Sequence, residues 1–247
     1  MQPRRTDNRR CPCESLTNPV GSVTAVTPLR FDAVLFDLDG TLADSAADIA
    51  LALRRAFDDL QLPVPSGVDA LVDGSPLEEI FAAAAPDAPP EALARFVAAY
   101  RAHYAAGEHR LTRLYPGVVE TLEALDLLRP RLRVAIATAK RPEAARGLAV
   151  TLGIARYFDR IDGSGGTRLP HKPAPDLLLA TVSALGVSPT RTLMVGDTLR
   201  DVLAGRAAGM RTAAVLYGLG APDALLAARP DHVLEDLEDL LSLLGGE

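Results

Sequence analysis

The sequence predicts an α/β fold, a Rossmann-like parallel-sheet core with an inserted α-helical cap. Three observations predict it. From residue 117 onward short apolar runs alternate with helical stretches, the pattern of consecutive βαβ units. The first apolar run, Ala33-Val34-Leu35-Phe36, leads into Asp37-Leu38-Asp39-Gly40-Thr41, placing two carboxylates two positions apart just past a strand. The interval from Asp39 to Thr138 is about three times the ~30 residues that one βαβ crossover requires, so a further module is inserted there.

Taken in order, Ala33–Phe36 is apolar at every position and reads as a strand buried on both faces. Residues 45–61, 76–85 and 90–105 read as helices, separated by Pro63, Pro65, Gly74, Pro86, Pro89 and Pro90, with no strand between them. Tyr115-Pro116-Gly117 reads as the return to the sheet. The expected organisation is therefore a flexible tail at 1–29, a core at 30–44 and 116–247, and a cap at 45–115. Within the core, Leu132 to Ala137 precedes a helix at 142–152, Ile161 and its neighbours precede 174–185, and Thr192 to Val195 precedes 199–208. Thr212 to Leu216 is followed by a closing helix at 236–244, whose Leu237, Leu240, Leu241 and Leu244 recur at helical spacing. Pro142 suits a first helical turn, Gly153 and Gly186 suit helix ends, and Gly209 stands before the next strand.

Composition narrows the function classes. The chain has 247 residues, 48% of them hydrophobic, and a net charge of −6. That charge argues against nucleic-acid binding through bulk electrostatics, and no apolar run is long enough to span a membrane. The expected partner is a small molecule. Residues 1–29 carry basic residues but no apolar segment of secretory-signal length, and Asp7 and Glu14 weaken a transit-peptide reading. Cys11-Pro12-Cys13 has one intervening residue where zinc knuckles and thioredoxin-like sites have two. With no disulfide framework, the expected location is cytoplasmic.

Chemistry gathers where apolar runs end. Asp37 and Asp39 alternate with Leu38 and so point the same way if the chain stays extended. Thr138 follows Val134-Ala135-Ile136-Ala137, Lys172 stands in His171-Lys172-Pro173, and Asp197 with Asp201 follows Leu193-Met194-Val195-Gly196. Only two of the 26 basic residues are lysines, Lys140 and Lys172, which marks Lys172 as a position where a compact ammonium is wanted. Plain structural roles suit several others: Asp44-Ser45 as a helix cap, Lys140 at a helix start, and Arg54, Arg55, Arg95 and Arg101 as a solvated face. His103 and His109 lack metal-ligand spacing.

In order, in position after strands, and in the inserted cap, these residues resemble the four motifs of the haloacid dehalogenase-like hydrolase superfamily, from residue 31 to about 217. The resemblance implies that Asp37 is a nucleophile that forms an aspartyl-phosphate and that Asp39 protonates the leaving group and later activates water. It implies Mg2+ held by Asp37, the Asp39 backbone carbonyl and Asp197. Thr138 and Lys172 would bind phosphoryl oxygens, and Asp201 would orient Lys172 or a metal-bound water. Asp39 argues against a dehalogenase, the absence of lysine from 45–115 against a phosphonate hydrolase, and Gly196-Asp197 in place of Glu-Asp against a sugar-phosphate mutase. The segment from Phe36 to Ile49, with Leu114-Tyr115-Pro116-Gly117 and Gly196-Asp197-Thr198, is similar to phosphoglycolate phosphatases, which place a specificity turn near Val72-Asp73-Gly74-Ser75. The implied activity is hydrolysis of a small phosphorylated metabolite, 2-phosphoglycolate first. Alternatives are a sugar- or nucleotide-monophosphatase, a pyrophosphatase, a mutase, and, in a different class, a non-catalytic phosphate-binding regulator.

Overall fold

Every residue of Ala33–Phe36 is buried, which requires a strand inside a sheet covered on both faces. The computed structural model describes residues 28–65 and 75–245, and in it this run is β1. The other sheet strands are β4 (Arg133–Thr138), β5 (Arg160–Gly163), β6 (Thr192–Gly196), β7 (Arg211–Val215) and β8 (His232–Leu234), in the order β5-β4-β1-β6-β7-β8. All the pairings are parallel, with Phe36 opposite Ile136 on one side and Val195 on the other. The sheet is thus a doubly wound, Rossmann-like α/β core, as the sequence predicts.

Alternation along the strands builds two apolar layers. Val34, Phe36, Val134, Ile136, Leu193 and Val195 face α4 (Val118–Asp126), α5 (Pro142–Thr151) and α9 (Leu240–Leu244). Ala33, Leu35, Ala135, Ala137 and Met194 face α6 (Asp176–Leu185) and α7 (Leu199–Ala207). The small alanines on the second face let those helices approach the sheet closely.

Two parts of the core differ from expectation. The segment after β7 holds a short helix, α8 (Pro222–Ala227), and the edge strand β8, both too short to show periodicity. The closing helix is shorter than 236–244: a single 3₁₀ turn at Leu237–Asp239, started by an Asp236–Asp239 capping box, leads into α9.

Between β1 and β4 the chain forms α1 (Ala46–Asp59), α2 (Leu77–Ala84) and α3 (Pro90–Ala106), with an apolar cluster of its own around Leu53, Phe57, Ile80, Phe81 and Phe96. Phe96 centres an aromatic trio, 4.7 Å from the ring of Phe57 and 5.0 Å from that of Phe81. The insert leaves and rejoins the core through a two-residue antiparallel ribbon, β2 (Ala43–Asp44) with β3 (Arg113–Leu114). Buried Asp48 of α1 reinforces this junction by accepting from the Thr112 N–H at 2.8 Å and its hydroxyl at 2.6 Å. Among the described residues no helix is long and apolar enough to cross a membrane. Residues 1–27, with Cys11 and Cys13, and Val72, Asp73 and Gly74 of the expected specificity turn lie outside the described residues.

Candidate active site

Parallel strands deliver their carboxyl ends to one edge, and this edge collects the polar residues. Asp37 leaves β1 with its N–H donating to Val195 O at 2.9 Å. Asp197 directly follows β6, Thr138 is the last residue of β4, and Lys172 lies in the loop after β5. Asp37, Thr138, Lys172, Asp197 and Asp201 are all buried. Lys172 Nζ lies 2.9 Å from Asp37 Oδ1 and 2.5 Å from Asp201 Oδ1, and donates to Ala137 O at 3.1 Å. Asp197 accepts from the Thr41 hydroxyl at 2.8 Å and from the Leu219 N–H at 2.8 Å.

The spacing of Asp197 and Asp201 has a different cause from helical register. Asp197 precedes α7, and Thr198 is its N-cap. Thr198 Oγ1 accepts from the Asp201 N–H at 3.4 Å and Asp201 Oδ2 from the Thr198 N–H at 3.0 Å, a capping box that the Thr198 hydroxyl reinforces by donating to the same Oδ2 at 2.6 Å. The box turns Asp201 back toward Lys172. Two glycines make room for this. A Cβ at Gly196 would lie 2.3 Å from Asp201 Cβ, so a side chain there would displace Asp201. A Cβ at Gly40, whose φ is +85°, would lie 2.0 Å from Asp197 Oδ2.

Asp39 is held by a separate set of partners. Ser45 Oγ donates to Asp39 Oδ1 at 2.6 Å, and Lys140 Nζ lies 3.0 Å from Asp39 Oδ2. Of the Asp44-Ser45 cap, Asp44 Oδ1 accepts from the Ala46 N–H at 3.4 Å while the Ser45 side chain makes no cap hydrogen bond to α1, and Lys140, just before α5 as expected, also reaches into the site. Lys140 also donates to the hydroxyl of Tyr104 on α3 at 2.9 Å. The scarcity of lysine was a usable signal for both residues. Thr138 Oγ1 accepts from the Lys140 N–H at 3.3 Å.

The electrostatics are those of a site short of positive charge. Asp37, Asp197 and Asp201 bring carboxylate oxygens within 4.8 Å of one another, with Lys172 as the ammonium among them. Burial pushes both Asp37 and Asp197 above the usual carboxylate range. For Asp37, Lys172 opposes that effect while Asp201 and Asp39 add to it; for Asp197, Asp201 and Asp37 add to it. Burial alone would lower Lys172, but Asp201 and Asp37 together outweigh it and hold the ammonium above its ordinary value. Asp37 Oδ1 is buried and receives no aligned hydrogen bond, because the nearby Lys172 contact is an ion pair without donor alignment. Three clustered carboxylates that share one ammonium are undercompensated, and their oxygens suit a hard divalent cation. Asp201 has both oxygens committed, to Lys172 and to Thr198, and Asp197 accepts on both of its own, which leaves Asp37 Oδ1 as the buried carboxylate oxygen with no hydrogen bond.

Above the edge, between core and insert, lies a cleft of about 570 Å³ whose walls include Asp39, Lys140, His171, Tyr100, Tyr104 and His109. Of the expected solvated face, Arg101 lines this cleft, while Arg55 and Arg95 are exposed. His103 is paired with Asp59 at 2.8 Å.

A doubly wound sheet with buried carboxylates and an ammonium at its carboxyl edge, roofed by a helical insert, defines an α/β enzyme. The model of haloacid dehalogenase-like hydrolases matches residues 34–215. A phosphoglycolate phosphatase of Aquifex aeolicus is 35% identical over 85% of this chain and 95% of its own length. Pyrophosphatase PpaX of Halalkalibacterium halodurans is 34% identical over 88% of this chain and 98% of its own. A haloacid dehalogenase-like family hydrolase from Streptococcus pneumoniae superposes with a TM-score of 0.76 at 29% identity, covering 86% of this chain and 98% of that one. The chain belongs to the haloacid dehalogenase-like hydrolase family and is a phosphatase.

Proposed function

We propose that the protein is a magnesium-dependent phosphomonoester hydrolase that works through an aspartyl-phosphate on Asp37, with 2-phosphoglycolate as its substrate. The observation that carries this reading is Lys172, fixed between Asp37 and Asp201 at 2.9 and 2.5 Å, an ammonium set beside a carboxylate whose Oδ1 accepts no hydrogen bond. Asp37 attacks phosphorus, the bond to the leaving oxygen breaks, and Asp39 gives that oxygen a proton. Asp39 then takes a proton from water, which attacks the aspartyl-phosphate and restores the Asp37 carboxylate. Lys172 and Thr138 hold phosphoryl oxygens through both steps. Asp37, Asp197 and the Asp39 carbonyl would hold the magnesium, which supplies the positive charge that lets an anionic nucleophile meet an anionic phosphate.

The Aquifex relative supports glycolate as the leaving group, and the pyrophosphatase relative favours a second reading, pyrophosphate. The test is phosphate release with magnesium from 2-phosphoglycolate, pyrophosphate, sugar phosphates and nucleotides, with Asp37→Asn as control. Preference for phosphoglycolate in kcat/KM, lowered at least ~1,000-fold in the control, is the expected result. Equal turnover across the panel overturns the substrate, and no turnover favours a phosphate-binding regulator.

A further inference from the structure

Resting on that reading, we infer that Lys140, presented by Tyr104 of the insert, is the specificity-determining cation for an anionic group on the leaving side of the substrate. The site around Asp37 reads the phosphoryl group, and Lys172 serves there, beside Asp37, Asp201 and Ala137. Lys140 is the second buried ammonium, its side chain 9% exposed, and it lies on the other side of Asp39, in the cleft wall.

Its position follows the leaving oxygen. Asp39 must stand within hydrogen-bond reach of that oxygen to protonate it, and Lys140 Nζ is 3.0 Å from Asp39 Oδ2. An acidic group one or two bonds beyond the leaving oxygen therefore falls beside Lys140. The carboxylate of phosphoglycolate and the second phosphoryl group of pyrophosphate both meet that condition, and the hydroxyls of a sugar carry no such charge.

The donors also add up. An ammonium has three protons; Lys140 donates one to Tyr104 Oη at 2.9 Å and is ion-paired with Asp39 at 3.0 Å, so donor capacity remains for a ligand. Tyr104 accepts from Lys140, so its own hydroxyl proton remains to be donated, and among the described residues it has no acceptor. The ring of Tyr104 also packs against the ammonium, with Nζ 4.3 Å from its centroid, fixing the lysine across the cleft. Next to it, 5.0 Å from the Tyr104 ring, is His109, whose buried Nδ1 has no hydrogen-bond partner among the described residues. Such orphaned polar atoms in a cleft wall call for a polar ligand.

The test uses the full chain with magnesium and compares two substrates that share the phosphate and the O–CH2 unit, 2-phosphoglycolate and ethyl phosphate, which has a methyl in place of the carboxylate. The readout is the ratio of their kcat/KM values, because a general loss of Asp39 alignment lowers both and leaves the ratio unchanged. Lys140→Met should lower the ratio roughly 10- to 100-fold, the value of a charge-assisted hydrogen bond. Tyr104→Phe, which keeps the lysine, should lower it by a smaller factor; it carries the test if Lys140→Met does not fold. A ratio unchanged in both variants, with the wild-type preference for phosphoglycolate intact, overturns the role of Lys140 and leaves the proposed substrate standing. A wild-type enzyme that turns over ethyl phosphate as well as phosphoglycolate overturns both.

Discussion

Asp201 Oδ1 lies 2.5 Å from Lys172 Nζ, while Asp201 Oδ2 accepts from the Thr198 N–H at 3.0 Å and the Thr198 hydroxyl at 2.6 Å. One side chain thus starts α7 and steadies the ammonium that faces Asp37. Asp201→Ala strips a buried lysine of one of its two anionic partners, a change that costs about 3–5 kcal/mol, and it removes a helix cap as well. Asp201→Asn keeps the cap acceptor and should lose less. Urea denaturation of the three proteins should rank wild type, Asn and Ala in that order; equal midpoints for the two variants would show that the cap is not the difference.

Ser45→Ala removes the hydroxyl that donates to Asp39 at 2.6 Å. The structural consequence is confined to one partly buried bond, so stability should hardly move. Turnover should fall roughly 10-fold, the scale of a hydrogen bond to a charged group. Steady-state kcat beside a thermal melt separates the two, and unchanged kcat would mean that Asp39 keeps its position without Ser45.

Magnesium should raise the melting temperature, because a cation bound by the folded carboxylates has no equivalent site in the unfolded chain. At a hundred times its Kd the stabilisation is about 2.7 kcal/mol. A chelator should reverse it, and Asp197→Asn should abolish it. Calorimetry without any substrate makes this check; a melting temperature indifferent to magnesium in wild type would count against the metal site.

Phe96→Ala empties the middle of the aromatic trio that Phe96 forms with Phe57 and Phe81. Truncating a buried phenylalanine costs about 3–5 kcal/mol. The loss should fall on the insert, so limited proteolysis should cut within 46–106 sooner than in the sheet. Cleavage spread evenly along the chain would argue that insert and sheet unfold together.

Asp231 gives a pH-dependent term far from the site. Burial works against its charge, but the Arg211 guanidinium and the N–H and hydroxyl of Thr212 outweigh it and hold the carboxyl below its usual range. Its folded pKa is therefore below the unfolded value of about 3.9. The stabilisation is fully present above that unfolded value and is lost as pH falls through the folded one. The difference in unfolding free energy between wild type and Asp231→Asn should be constant from pH 7 to 5 and shrink below about pH 4. A difference that grows on acidification would reverse the sign of this contribution.

The core was legible because β1, β4 and β6 are nearly unbroken apolar runs, each followed by a helix long enough to show its period. Asp37, Thr138 and Asp197 could be read for the same reason, because each ends or follows such a run and sheet order brings them together, whereas Lys172 lies in the loop after β5 and Asp201 is turned to it by the α7 capping box. Ser45 and Lys140 could not be placed that way. Their shared partner is Asp39, and Lys140 is 101 positions from it, a contact made by the return of β4 beside β1 and by Tyr104 descending from α3. The ribbon of β2 and β3 was hidden likewise, since two residues show no alternation and their partners are 71 and 69 positions apart.

Lysine appears in this chain at positions 140 and 172 and nowhere else, and the two side chains are 9% and 4% exposed. The outer surface therefore carries its positive charge on arginine, and no ε-amine is offered to the surroundings. An acylating reagent reaches an ε-amine only by entering the cleft where Lys140 stands. The rate at which an amine-directed label modifies Lys140 then reports access to that cleft, free of the background that surface lysines impose on most proteins.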